Sequence, residues 1–92
     1  MEISDIRIRL LSKEDNKVKA YASFTIDDCF IIHEIRIIDG LKGIFVAMPR
    51  RKTPDGEFKD ICHPKDTATR KSIEAQVLES YDKAVAMAQT GE

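Results

Sequence analysis

Three adjacent cations, Arg50-Arg51-Lys52, follow the apolar run from Ile44 to Met48 and lead directly into the tight-turn signal Pro54-Asp55-Gly56. Such charges, side by side, repel one another and stay hydrated unless an anion neutralises them, while the turn fixes the backbone nearby. The run therefore reads as an anion-binding platform, with a solvated turn as the plain alternative. A second cationic pair, Arg70 and Lys71, falls in the first turns of a helix expected to start after Asp66. Cations there are mildly unfavourable to the helix dipole. A phosphate gripped by first-turn amides and nearby Arg side chains would account for their placement, solubility being the simpler reason. If loop and helix start face the same way, Arg50, Arg51, Lys52, Arg70 and Lys71 make a phosphate-contacting surface with Phe58 as its nearby aromatic. Contacts of this kind supply affinity more than sequence choice, and a dimer would double the surface.

Other reactive groups are poorly spaced for chemistry. Cys29 and His33 lie four apart in an expected strand, about 13 Å at the usual rise, too far to share an ion. Cys62 and His63 are adjacent and would point to opposite faces, so the imidazole is badly placed to deprotonate the thiol. Small core thiols and structural imidazoles are the expectation, with no metal site. The acidic pairs Glu14-Asp15 and Asp27-Asp28 sit at expected turns, where short carboxylates bond their own backbone. No GxGxxG, Walker-type loop or serine elbow occurs, so no catalytic residue and no cofactor or small-molecule substrate is expected.

Composition bounds the reading further. A chain of 92 residues with 42% apolar residues and no Trp is one domain and buries only roughly 60 to 65% of its unfolded surface. Oligomerisation is a natural way to bury more. A formal charge of −1 is not the balance of a dedicated polyanion binder. Its distribution differs: from Pro49 to Lys71 seven cations face four anions, enough for local attraction to a polyanion. No cationic leader precedes an apolar stretch and no window approaches a membrane span, so a cytoplasmic protein with free thiols is expected.

The elements that must position the cations are strands first and a helix last. Ile6, Ile8 and Leu10 alternate with Asp5, Arg7 and Arg9 in a strand from Ile3 to Leu11, the period that places apolar groups on one face. Residues 12–16 read as a turn. Val18, Ala20, Ala22, Phe24 and Ile26 repeat the pattern against Lys19, Tyr21, Ser23 and Thr25, and Asp27-Asp28 closes it as in a hairpin. Cys29 to Ile38 is β-branched with apolar groups on both parities, which predicts a central strand covered on both sides. Ile44 to Met48 forms a short strand after the Asp39-Gly40 turn, with Phe58 to Cys62 as its return partner across the basic loop. Pro64 ends the sheet. Asp66 caps a helix over about 67–86 whose stripe is Ile73, Val77 and Tyr81 with Leu78 and Val85, and residues 87–92 read as a frayed tail. The expected class is α+β: a small antiparallel sheet of about five strands over 3–62, followed by a C-terminal helix, all within one domain spanning 1–92.

Several blocks of the chain also resemble a known family. Met1-Glu2-Ile3-Ser4-Asp5-Ile6-Arg7, Ile32-His33-Glu34-Ile35-Arg36-Ile37-Ile38, Gly43-Ile44-Phe45-Val46-Ala47-Met48-Pro49, Lys52-Thr53-Pro54-Asp55-Gly56-Glu57-Phe58 and Asp60-Ile61-Cys62-His63-Pro64 are similar to the stage V sporulation protein G (SpoVG) family of bacteria. The likeness runs from Met1 to about Tyr81. It implies a small α+β homodimer that binds DNA, and RNA in some members, and that affects septum formation in spore formers and gene expression elsewhere. Carried over by position, the nucleic-acid contacts it implies are Arg50, Arg51 and Lys52 in the loop and Arg70 and Lys71 on the helix. The short Ala-rich end departs from the longer acidic tail of the family pattern.

The sequence thus leads to a non-enzymatic, dimeric nucleic-acid-binding regulator. Its rival is a protein-interaction module that docks a cell-division or signalling partner through a sheet edge or the helix, motivated by the near-neutral charge and the apolar strands.

Overall fold

The computed structural model describes residues 1–11 and 17–90; the turn expected over 12–16 and the last two residues lie outside them. Six strands precede one helix: β1 (Ile3–Leu10), β2 (Val18–Ile26), β3 (Phe30–Gly40), β4 (Gly43–Ala47), β5 (Arg50–Lys52), β6 (Phe58–Asp60) and α1 (Thr67–Thr90). The class is α+β, as expected. The first four strands form an antiparallel sheet in chain order, and β5 pairs with β6 in a separate hairpin. Phe58–Asp60 therefore does not return along Ile44–Ala47. Pro49, buried and without an amide hydrogen, interrupts the strand that would have continued, and the cationic run pairs with β6 instead.

One face of the sheet carries Ala20, Ala22, Phe24, Ile35, Ile37 and Val46, which form the buried core with Met48 and with Ile73 and Val77 of α1. Leu78 and Tyr81 pack against this core, so the helix lies along the stripe that its three- and four-residue spacing marks out. The helix continues past Ala86 to Thr90; Ala84, Ala86, Met87 and Ala88 are strong helix formers.

Two bulges sort the side chains onto this face. Between Ala22 and Phe24 of β2 the partner on β3 advances from Ile35 to Ile32, one residue more, and Glu34 adopts a positive φ of 65°. On β1 the register slips between Ser4 and Arg7, with Asp5 at φ 50°. Each bulge inserts one residue and inverts the parity of the strand beyond it. Ile32 and Ile35, three apart, thereby both meet core-facing residues of β2, as do Ile3 and Ile8. The mixed parity of β3 thus records a bulge and not a strand covered on both sides: its second face, including Arg36, stays outside the core.

Hairpin β2–β3 turns through Asp27 and Asp28, both at positive φ, with the Cys29 amide donating to the Ile26 carbonyl at 3.1 Å. The Asp27 carboxylate accepts from the Glu2 amide at 2.7 Å, so it ties the turn to the start of β1 and not, as the sequence pattern suggested, to the turn's own backbone. Phe24 lies between the two bulges and is almost wholly buried. Phe24→Ala is expected to cost about 3–5 kcal/mol, measured by urea unfolding; a loss under 1 kcal/mol would mean that the core does not close around this ring.

Candidate nucleic-acid interface

The cationic run folds as β5, whose register pairs Arg50 with Asp60, Arg51 with Lys59 and Lys52 with Phe58. Its turn is held from within. The Thr53 amide donates to the Glu57 carbonyl at 2.7 Å and the Gly56 amide to the Thr53 carbonyl at 2.9 Å, while Gly56 takes φ 90°, which suits glycine. The Thr53 hydroxyl donates to the Asp55 carboxylate, and the Glu57 amide approaches the same oxygen at 3.4 Å. Asp55 is thus committed to the turn instead of to a cation. The Thr53 hydroxyl, and then the Glu57 amide, hold its carboxyl below the usual range.

Arg50 leads from the hairpin to the sheet. Its guanidinium stacks on Phe58, 3.9 Å from the ring centroid, and a hollow beside it is lined by Tyr21, Glu34, Arg36, Pro49 and Ile61. Arg36 donates to the Met48 carbonyl at 2.8 Å, fixing the chain where it leaves the sheet. Burial, and next the nearby Arg50 guanidinium, push Arg36 below its ordinary value, with Tyr21 and Asp60 acting the other way. Tyr21 and Arg36 are cross-strand partners, as are Tyr21 and Arg9, and the Arg9 guanidinium lies 5.4 Å from the Tyr21 centroid. Arg7 stands one row further along, opposite Ser23. Arg7, Arg9 and Arg36 therefore share the sheet face opposite α1, and Arg50 leans over it. Local sequence carried a trace of this surface in the polar parity of Arg7 and Arg9 in β1 and of Tyr21 and Ser23 in β2.

Arg70 and Lys71 lie in the first turns of α1, Arg70 half-buried and Lys71 exposed. Asp66 caps this end: its carboxylate accepts from the Thr69 amide at 2.7 Å, and the Thr69 hydroxyl first, then this amide, hold its carboxyl below the usual range. Because α1 covers the Phe24 face, one protomer sets Arg50 and the helix cations on opposite sides of the sheet. Arg51 and Lys52 are exposed on the hairpin. Among the described residues the one ion pair is Lys83–Glu79 at 3.9 Å, so none of the five residues, nor Arg7, Arg9 or Arg36, is neutralised by a carboxylate.

The remaining reactive groups do not converge. Cys29 is exposed and Cys62 half-buried, both as free thiols, so neither is the core thiol expected. His63 Nδ1 lies 3.0 Å from the Pro64 carbonyl. Among the described residues no cluster of three or more His, Cys, Asp or Glu side chains could hold a metal, and no helix is long and apolar enough to cross a membrane.

The fold and surface define a small α+β domain with one helix-covered sheet face and one cationic face beside a basic hairpin. Residues 1–83 match the SpoVG family, and the chain belongs to that family. Relatives bearing the name septation protein SpoVG include one from Clostridium acetobutylicum, 53% identical over 83 residues, covering 90% of this chain and 86% of the relative. One from Clostridium beijerinckii is 52% identical over 85 residues, covering 92% of each. One from Brevibacillus brevis is 53% identical over 83 residues, with 90% and 86% covered.

A depressed carboxyl stabilises the turn above its unfolded value, and this contribution disappears as pH falls through the lower folded value. The Asp55 carboxyl, followed by NMR, is accordingly expected to titrate below the ordinary value of about 3.9, with the Glu57 amide shifting in step. Titration at about 3.9, or a Glu57 amide indifferent to it, would contradict the turn geometry.

Proposed function

We propose that this chain is a non-enzymatic regulator that binds DNA, and RNA, through phosphate contacts from Arg50, Arg51 and Lys52 of the hairpin and Arg70 and Lys71 of the helix start. It acts in the cytoplasm as a homodimer, without cofactor or small-molecule substrate, in gene expression, in sporulation and in the septation that its relatives' names describe. The observation that supports this most is the set of exposed cations on β5 with no carboxylate partner among the described residues. Unpaired guanidinium and ammonium groups on a stiff hairpin are preorganised for phosphate oxygens and release counterions when they meet them. Arg70 and Lys71, on the far side of the same protomer, contact a separate stretch of the polyanion.

The strand at the sheet edge supports the homodimer. β4 pairs with β3 alone, and its sequence Gly43–Ala47 carries no charge, while Leu41, Ile44 and Phe45 are exposed. An uncharged, apolar edge with unpaired backbone groups is a template for another strand. The same feature favours the second reading, docking of a cell-division or signalling protein at that edge. Capture of such a partner that survives nuclease and moderate salt would favour docking over nucleic-acid binding.

Replacing Arg50, Arg51 and Lys52 with Ala is expected to weaken duplex binding and to flatten its log–log salt slope by about 0.9 for each phosphate no longer neutralised. An unchanged slope would refute the hairpin's role. Sedimentation should give a dimer that Phe45→Lys converts to monomer; a wild-type monomer at micromolar concentration would remove the edge-pairing element.

A further inference from the structure

The sheet face opposite α1 has a feature that phosphate gripping alone does not use. Cross-strand register lines up Arg9, Tyr21 and Arg36 on three adjacent strands, and Tyr21 stands between two hollows. One, of about 410 Å³, is bounded by Arg7, Arg9, Ser23, His33 and Glu34; the other, of about 220 Å³, contains Arg36, Arg50 and Phe58. Tyr21 and Glu34 border both. Two guanidinium groups already lie over rings here, Arg9 at 5.4 Å from the Tyr21 centroid and Arg50 at 3.9 Å from that of Phe58.

A flat array of aromatic and guanidinium planes is matched by the faces of unpaired bases. In a duplex those faces are stacked on one another and only phosphates and groove edges are presented, whereas a single strand can splay its bases onto such planes. Rows two residues apart along a strand are about 7 Å apart, so the Arg7 row offers phosphate contacts beside the Tyr21 row. Ser23, His33 and Glu34 at the rim offer donors and acceptors for base edges. A second copy of this chain is a poor occupant, because a two-fold contact would set Arg7, Arg9, Arg36 and Arg50 against the same cations, while the uncharged β4 edge lies elsewhere.

We infer that this face, centred on Tyr21 between Arg9 and Arg36, binds single-stranded nucleic acid, with bases stacked on Tyr21 and on the Arg9 and Arg50 planes and phosphates held by Arg7 and Arg36. The inference rests on the nucleic-acid reading above and assigns the single-stranded form to the sheet face beside the hairpin, with Arg50 at their border.

The test measures anisotropy of labelled 12-mers of oligo(dT) and oligo(U), beside a 20-base-pair duplex, with the full chain at fixed salt. The Arg7→Ala/Arg9→Ala protein and Tyr21→Leu are each expected to lose about tenfold in single-strand affinity and to keep duplex affinity within about twofold. Tyr21→Phe, which retains the ring, should keep both. If Tyr21→Leu fails to fold, the double Arg variant, altered only at exposed positions, carries the test. A 4-thiouridine strand should crosslink to the peptide containing Tyr21. Single-strand affinity unchanged in the double variant, or falling in parallel with duplex affinity, would overturn the inference. Duplex binding without single-strand binding would also overturn it and leave the hairpin reading intact; binding of neither ligand would overturn both. A changed oligomeric state in the double variant would show that a second copy covers the face, again overturning it.

Discussion

The packing of Ile73 and Val77 against Phe24 and its neighbours is the contact on which the architecture turns. A four-stranded sheet with one helix can bury only one face, so the fold depends on every strand presenting its apolar groups to the same side. β2 does this by alternation from Ala20 to Ile26, beyond a register shift against β3 between Val18 and Ala20. β1 and β3 do it only because each inserts a bulge beside β2, at Asp5 and Glu34. With Glu34 shifted by one position, Ile35 and Ile37 would leave the core and Arg36 would enter it. The bulges therefore both close the core and place Arg36 beside Tyr21.

The same sorting accounts for the charge on the uncovered side. Polar positions of three strands converge there, and the hairpin folds back through the Arg36–Met48 contact and the stacking of Arg50 on Phe58. Three carboxylates are used elsewhere, Asp55 by its turn, Asp66 by the helix cap and Asp27 by the Glu2 amide, while Glu34 and Asp60 lie beside the cations without forming an ion pair among the described residues. A chain of formal charge −1 can thus present a locally positive surface, because short acidic side chains at turns are consumed by backbone amides while long basic ones reach solvent.

Much of the fold was legible in the chain. Strict alternation marked β1 and β2, Pro54-Asp55-Gly56 marked the turn, and Asp66 with the Ile73–Val77–Tyr81 spacing marked the capped helix, since each depends on forces acting within a few residues. The return of Phe58–Asp60 along Arg50–Lys52 was not, because Pro49 decides it by withholding one amide at the point where β4 ends. Nor was the bulge in β3: mixed parity reads equally as a strand buried on both faces. The five cations singled out from sequence form two short runs, Arg50 to Lys52 and Arg70 with Lys71, whereas Arg36 joins Arg7 and Arg9 of β1 only through register.

Binding to nucleic acid requires that the hairpin cations, and for single strands those of the sheet face opposite α1, be available to an anionic chain. Amide chemical-shift mapping of the intact protein during titration with a short oligonucleotide tests this most directly. Shifts concentrated at Arg7 to Arg9, Tyr21 to Ser23, Arg36 and the β5–β6 hairpin are the predicted result. Shifts confined to the β4 edge or the middle of α1, with β1 and β2 silent, would contradict it.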